Sequence, residues 1–246
     1  MSKNISNDIV AMIPKIIYQT WDTYAFPESV RTRLDTIRDM YKGYEYKFFL
    51  DEDMDNFVKE HYSGEIFDCY NKLNIIVAKA DFWRYLILYK FGGVYLDIDS
   101  DLKQPLSQLI RKDDDAIIAA ESNPNTFVQW TLIFQAGHPI LERTIDMVVD
   151  NIKQNKYPND IHKMTGPSVF TAALQSVHKE NYGEEIDHAS IRKGDDITYQ
   201  KHGIKYRIYG VDYNGHFHCK IPECFDLFAG RDKWHKQQKH KSLLRI

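Results

Sequence analysis

Residues 78–101, AKADFWRYLILYKFGGVYLDIDSD, constrain the fold of this chain more than any other stretch. Apolar side chains at Leu73, Ile76, Val77, Ala80, Trp83, Ile87, Leu88 and Phe91 recur near the 3.6-residue period, which predicts an amphipathic helix. Gly92-Gly93 ends it, because glycine tolerates the left-handed backbone that closes a helix. Val94, Leu96 and Ile98 then alternate with Tyr95, Asp97 and Asp99, which is the period of a strand. In this reading Asp81 and Arg84 share one helix face, and Asp97 and Asp99 point to the same side of one strand.

Two carboxylates so placed repel by about 1 kcal/mol in water, and several times more at a partly buried strand end. A cation is expected to neutralise them, and all-oxygen ligation suits Mg2+ or Mn2+ better than zinc. The bare Asp-x-Asp pattern is weak, since it occurs five times, at 51–53, 53–55, 97–99, 99–101 and 113–115. Only the copy at 97–99 ends an apolar strand entered through Gly-Gly; the others lie in polar stretches and read as solvated or helix-start acids.

Length and composition set outer bounds. The 246 residues suffice for one large core, so residues 1–246 are expected to form a single domain, with a polar lead-in at 1–12 and a basic tail at 236–246. A net charge of −3 offers no global basic field for nucleic acid. Cys69, Cys219 and Cys224 make no disulfide framework and suit a reducing cytosol. With no apolar run of about 18 residues and no secretory signal, a soluble cytoplasmic chain is expected.

IPKIIYQTW (13–21) reads as the first buried strand, and Glu28–Tyr41 as a helix carrying Val30, Leu34, Ile37 and Met40 on one face. YEYKFFL (44–50) alternates as a strand, and the acids of DEDMDNFVKEHY open a helix, where a first turn favours them. Residues 65–91 hold one or two further helices, and Asp101 and Pro105 lead into a surface stretch ending in RKDDD. AIIAAE (116–121) and FVQWTLIF (127–134) are apolar enough to be buried, and helices follow Gly137-His138-Pro139 and Thr165-Gly166-Pro167. YRIYGVDY, the His-rich stretch and IPECFDLF suggest two or three terminal strands. Strands alternating with helices predict an α/β fold with a mostly parallel central sheet, whose ligands bind beyond the carboxyl ends of the strands.

Several constellations have two readings. Asp81 and Arg84 could be an ordinary i,i+3 ion pair, but a charged pair on so apolar a helix needs partners or a ligand, and sugar hydroxyls can serve both. His216, His218, Cys219 and Cys224 could ligate zinc, while alternation in a terminal strand explains the two histidines without metal. YLDIDSDL with Lys193-Gly194-Asp195-Asp196 is similar to the motifs of haloacid-dehalogenase-like phosphatases, although there the nucleophile stands on the first strand.

The ordered segments resemble glycosyltransferase family 32, which includes mannosyltransferases and bacterial capsular sugar transferases. IPKIIYQTW looks like its opening strand; KADFWRYLILYKFGGVYLDIDSD is similar to its core signature; FVQWTLIFQAGHPIL and MTGPSVFTAAL resemble its later segments in the same order. The resemblance runs from about residue 13 to 175. It implies a GT-A fold and a retaining transfer of a hexose from a nucleotide sugar, GDP-mannose or a UDP-hexose, to a glycan or other hydroxyl acceptor. It further implies that Asp97 and Asp99 hold Mn2+ or Mg2+, that Asp81 and Arg84 hold donor-sugar hydroxyls, and that Tyr95 flanks the nucleotide. Trp21 would stack on the base with Gln19 and Thr20 nearby, while Gln129 and the Thr165-Gly166-Pro167 turn would shape the sugar and acceptor side. Two departures stand out. Tyr18 replaces the usual His of the first strand, and only GRDKWHK (230–236) stands where the family completes its diphosphate site. There Asp232 or His235 would be a further metal ligand and Trp234 would cover the diphosphate. Lacking the membrane anchor of secretory-pathway members, the chain fits a soluble enzyme of bacterial or viral origin. A phosphatase, or a non-catalytic sugar-nucleotide-binding module, is the alternative expectation.

Overall fold

The computed structural model describes residues 12–219, 236 and 239–245. Its first half runs β1 (Ile16–Thr20), α1 (Glu28–Met40), β2 (Glu45–Phe49), α2 (Asp51–His61), α3 (Gly64–Lys72), α4 (Ile76–Phe91) and β3 (Gly93–Leu96). Then come β4 (Ser100–Leu102), α5 (Leu106–Leu109), β5 (Ala116–Ala119), β6 (Thr131–Phe134), α6 (Pro139–Lys153), α7 (Ile161–Met164) and α8 (Pro167–Tyr182). β7 (Asp196–Lys201), β8 (Ile204–Tyr209) and β9 (Phe217–Cys219) follow. Local chemistry explains the boundaries. Pro139 and Pro167 occupy first-turn positions of α6 and α8, where a missing N–H costs nothing. His138 caps α6 by accepting from the Ile140 N–H at 3.2 Å.

Seven strands form one sheet in the order β2-β1-β3-β6-β5-β8-β7. It is an α/β sheet as expected, but mixed rather than mostly parallel. β1–β2, β1–β3 and β5–β8 are parallel, while β3–β6, β5–β6 and β7–β8 are antiparallel. The connection from β5 to β6 turns straight back, with an Ala120–Phe127 bridge, so β6 enters beside β3 in the reverse sense. β7 and β8 form a hairpin through His202-Gly203, both with positive φ, the backbone that a two-residue hairpin turn uses. β7 precedes the first of the terminal strands that the sequence predicts, at YRIYGVDY.

Side-chain alternation splits the core into two. Tyr18, Tyr95, Ile118, Leu132 and Phe134 face one side, with α2, α3, α4, α6 and α8. Ile17, Val94, Leu96, Ile117 and Ile133 face the other, with α1, α5 and Leu102 of β4. Between α2, α6 and the sheet, α4 is buried on nearly all sides: Asp81–Leu88 are all buried, where the sequence period predicts an amphipathic helix. Gly92 and Gly93 adopt φ of 65° and 113°, and a Cβ at Gly93 would stand 2.8 Å from the Ile16 carbonyl. Glycine there admits both the reversal and the close approach of β3 to β1.

Two further expectations are corrected. β3 ends at Leu96, and Asp97 to Ser100 form a turn closed by the Ser100 N–H on the Asp97 carbonyl at 2.9 Å. Asp97 and Asp99 therefore do not share one side of a strand; pairing stops once the Asp97 N–H has donated to Trp130. Nor does Asp101 begin a surface stretch. Ser100–Leu102 is buried and pairs with β9, and Asp114 of the 113–115 acids is buried on Arg207 rather than solvated.

Candidate active site

The central group is Arg84, in the middle of α4. Its Nη2 lies 3.1 Å from Oδ1 of Asp81 and its Nη1 lies 3.2 Å from Oδ1 of Asp97. Nη1 also donates to Gln129, to the main-chain carbonyl at 3.2 Å and the side-chain oxygen at 3.0 Å. The guanidinium stacks over the Tyr95 ring, 4.4 Å from its centroid. One buried cation thus joins α4, the turn after β3 and the residues entering β6. The Gln129 amide completes the frame, donating to Asp81 at 3.1 Å and to the Tyr85 hydroxyl at 2.9 Å. Tyr85 donates in turn to the Gly166 carbonyl at 3.2 Å, and the Thr165 hydroxyl to Oδ2 of Asp81 at 3.3 Å.

Electrostatics follow from this enclosure. Burial pushes the Asp81 carboxyl up, with Arg84 and the Gln129 amide opposing. Burial works against the charge on Arg84 as well, but Tyr95, Asp97 and Asp81 outweigh it and hold the guanidinium protonated. Burial, with Asp97 adding to it and Arg84 opposing, raises the Tyr95 phenol well above its ordinary value. The phenol therefore stays a donor, and gives its proton to Oδ1 of Asp97 at 2.6 Å.

The turn is also held from the β1 side. The Gln19 amide donates to the Asp97 carbonyl at 3.2 Å, and the Gln19 oxygen accepts from the Tyr46 hydroxyl at 2.9 Å. Thr20 turns away, its hydroxyl donating to the Phe49 carbonyl at 2.8 Å. Trp21 is half-buried, next along the chain, against the cluster containing Leu96 and Ile98. Asp81, Arg84, Tyr95, Asp97, Gln129 and Gln19 are therefore brought together, with Asp99 buried in the same turn and Gly166 beside Asp81. Asp232, Trp234 and His235 lie outside the described residues. Sequence reading missed Tyr46 and Tyr85, because aromatic side chains in apolar segments look like core until their hydroxyl partners are known.

Asp97 keeps an open side. Its side chain is 25% exposed, both bonds from Tyr95 and Arg84 fall on Oδ1, and no described residue bonds Oδ2. Among the described residues, Arg84 is the cation ion-paired to both Asp81 and Asp97. Two carboxylates one residue apart in a single turn, with a spare oxygen on Asp97, are a donor set that fits Mg2+ or Mn2+. Among the described residues no three His, Cys, Asp or Glu side chains gather as a metal site, so a cation here would take its other oxygens from ligand, water or residues beyond them. His216, from the possible zinc cluster, sits instead 3.4 Å from the Tyr209 hydroxyl through Nε2; Cys224 lies outside the described residues. The phosphatase reading loses its second motif: Asp196 opens β7, four strands from β3 in the sheet, and is bound by Arg207 and Arg111.

Residues 27–121, which include Asp81, Arg84, Tyr95, Asp97 and Asp99, match the family described as glycosyltransferase sugar-binding region containing DXD motif. Over that stretch the chain is similar to this DXD glycosyltransferase family. Among its relatives is inositol phosphoceramide mannosyltransferase 3 of Schizosaccharomyces pombe, 33% identical over 135 residues, covering 55% of this chain and 37% of that protein. The initiation-specific alpha-1,6-mannosyltransferase of Candida albicans is 27% identical over 197 residues, covering 64% of this chain and 51% of that one. An uncharacterized glycosyltransferase of Acanthamoeba polyphaga mimivirus is 27% identical over 182 residues, covering 71% and 70%. The chain thus spans roughly a third to a half of the length of the fungal mannosyltransferases it matches. In fold it is similar to the solved structure titled PaToxG Glycosyltransferase, with a TM-score of 0.52 and 20% identity over 68% of this chain and 69% of that one. None of its described helices is long and apolar enough to cross a membrane.

Proposed function

We propose that this chain transfers a hexose from a nucleoside-diphosphate sugar to a hydroxyl group of a glycan or glycoconjugate acceptor. The observation that carries the reading is the Arg84 network, in which one buried guanidinium holds an acid of α4 and an acid of the turn after β3 at fixed separation, with Oδ2 of Asp97 left open. A divalent cation held by Asp97 and Asp99 would neutralise the charge that develops on the diphosphate leaving group. Asp81 accepts hydrogen bonds from donor-sugar hydroxyls. Arg84, whose nitrogens all have protein partners, orients Asp81 and Asp97 rather than reaching the sugar itself. Trp21 and Tyr95 flank the nucleotide, and the lack of a side chain at Gly166 lets its backbone pack close to Asp81.

A retaining course, implied by the family resemblance, is part of the proposal: Asp81 and Asp97 are both engaged by Arg84, and the acceptor hydroxyl attacks from the side the leaving group departs. The names of the fungal relatives make GDP-mannose the first donor to test, with UDP-hexoses beside it. Calorimetric titration of GDP and UDP with and without Mn2+ tests the reading: metal-dependent binding of one of them is expected, and binding of neither overturns it. Asp99→Asn removes charge but little volume, so turnover should fall by about a hundredfold to a thousandfold while the chain still folds. Retained turnover would remove Asp99 from the metal site. Slow hydrolysis of the donor without acceptor separates an enzyme from a binding module.

A further inference from the structure

Gln19 is a buried amide on β1, the strand that lies between β2 and β3. An amide in that position is costly unless both of its ends are bonded. Its nitrogen donates to the Asp97 carbonyl at 3.2 Å, and its oxygen accepts from the Tyr46 hydroxyl at 2.9 Å. Chemistry fixes the order. A main-chain carbonyl only accepts, so the NH2 end must face Asp97, and the oxygen is left for a donor, the phenol of Tyr46.

Strand register makes the contact possible. Ile17 pairs with Tyr46 and Gln19 with Phe48, so Tyr46 and Gln19 share one face of the sheet as diagonal neighbours, within reach of a long side chain. Arg38 of α1 lies over the Tyr46 ring, 4.7 Å from its centroid. Burial raises the Tyr46 phenol, with Arg38 opposing and Tyr24 adding to the rise, so the hydroxyl keeps the proton it gives to Gln19.

Asp97 has other bonds, and they grip it differently. Tyr95 and Arg84 hold Oδ1, and the Asp97 N–H donates to the Trp130 carbonyl. The Asp97 carbonyl belongs to the next peptide, which leads toward Asp99. Ser100 holds that carbonyl from within the turn, at 2.9 Å, and Gln19 holds it from the sheet. The tilt of this peptide sets how the carboxylates of Asp97 and Asp99 stand to each other.

We infer that Tyr46 and Gln19 form a positioning strut: the hydroxyl holds the amide, the amide holds the Asp97 peptide, and the spacing of the two carboxylates follows. The inference rests on the metal reading above. Gln19 then serves the acid turn rather than the base, and both residues act through the turn without touching the donor, as outer partners of metal ligands commonly do.

The test uses the full-length chain and the Tyr46→Phe, Gln19→Met and double variants. Hydrogen exchange of the metal-free proteins reads the turn itself. The Asp97 and Ser100 amides should exchange about fivefold faster in each variant, while those of the β7–β8 hairpin, at the other edge of the sheet, keep their wild-type rates. Calorimetry with the nucleotide that wild type binds reads the cation. The Kd of Mn2+ should rise by about tenfold in Gln19→Met and by about threefold in Tyr46→Phe. The double variant should match Gln19→Met, because the hydroxyl acts through the amide. Excess Mn2+ should restore donor hydrolysis to within about twofold of wild type.

Wild-type Mn2+ affinity and wild-type turn exchange in both single variants overturn the strut. So does a further loss when Tyr46→Phe is added to Gln19→Met, which would route Tyr46 through Arg38 or its own packing. Hydrolysis that excess Mn2+ fails to restore would make Gln19 a donor contact and overturns it too. If Gln19→Met does not fold, Tyr46→Phe, which removes one oxygen, carries both readouts. If wild type binds no Mn2+ with nucleotide, the metal reading fails, while exchange in the metal-free proteins still decides whether Tyr46 and Gln19 hold the turn.

Discussion

Two buried arginines in this molecule look alike and do different work. Arg84 bridges buried Asp81 and partly exposed Asp97; Arg207 bridges buried Asp114 and partly exposed Asp196. Arg207 is bidentate on Asp114, with Nε at 3.0 Å and Nη2 at 2.6 Å, and meets Asp196 at 3.0 Å through Nη1. The difference lies in what is left over. Asp196 is taken on its second oxygen by Arg111, so two cations balance two carboxylates and the network is closed. Around Arg84 one cation is ion-paired to two carboxylates among the described residues, and Oδ2 of Asp97 has no bond there. Burial and ion pairing alone do not mark a site; an unbalanced count with an open acceptor does.

The comparison is broken most directly by removing each arginine. Arg207→Met leaves Asp114 buried and unpaired, so stability should fall by about 3–5 kcal/mol in denaturant unfolding, with kcat of the folded enzyme unchanged. Arg84→Met should cut kcat by at least about a hundredfold and abolish the rise in melting temperature that Mn2+ with nucleotide gives the wild type. If Arg207→Met loses turnover while folded, or Arg84→Met keeps it, the two networks do not differ as argued.

The closed side of the molecule also predicts an acid weakness. Burial lowers the His138 imidazole to about 4, and its Nε2 sits 2.9 Å from the Lys205 carbonyl of β8. As pH falls below about 6.5 the unfolded chain takes up the proton first, so stability drops from there and levels off near 4, by roughly 3 kcal/mol in all. Above pH 6.5 this group contributes no pH dependence. His138→Gln should show a smaller fall in melting temperature between pH 7 and pH 4.5 than wild type, and an equal fall would assign the acid loss to other groups.

The smallest expected effect sharpens the open side. A Cβ at Gly166 would stand 2.9 Å from the His162 Cα and 3.2 Å from Oδ2 of Asp81. Gly166→Ala should therefore displace Asp81 and lower kcat/KM by about tenfold, with kcat and KM both changed. An unaltered kcat/KM would show that Asp81 has room to move.

Much of this was legible in the chain. Asp81, Arg84, Tyr95 and Asp97 lie in one segment whose helix, glycine stop and strand each follow from local spacing. Asp101 and Asp114 were misread because burial of an acid depends on where its cation arrives from, Arg33 and Arg207 being 68 and 93 residues away. Tyr46 and Tyr85 were invisible for the same reason: their hydroxyl partners, Gln19 and Gly166, belong to other elements. The mixed sheet hung on a reversal between β5 and β6 that composition does not encode. Periodicity sees one element at a time, and the site is made between elements.

Enclosure of α4 on nearly every side has a consequence for the energetics of recognition. Amides from Asp81 to Leu88 have no route to solvent short of losing contact with α2, α6 and the sheet together, so their hydrogen exchange should track global unfolding. The side chains of Asp81 and Arg84 are thus set in place by folding itself. A donor that meets Asp81, held by Arg84, finds the conformational entropy of both side chains already lost, and whatever ordering it must still impose falls on other parts of the site.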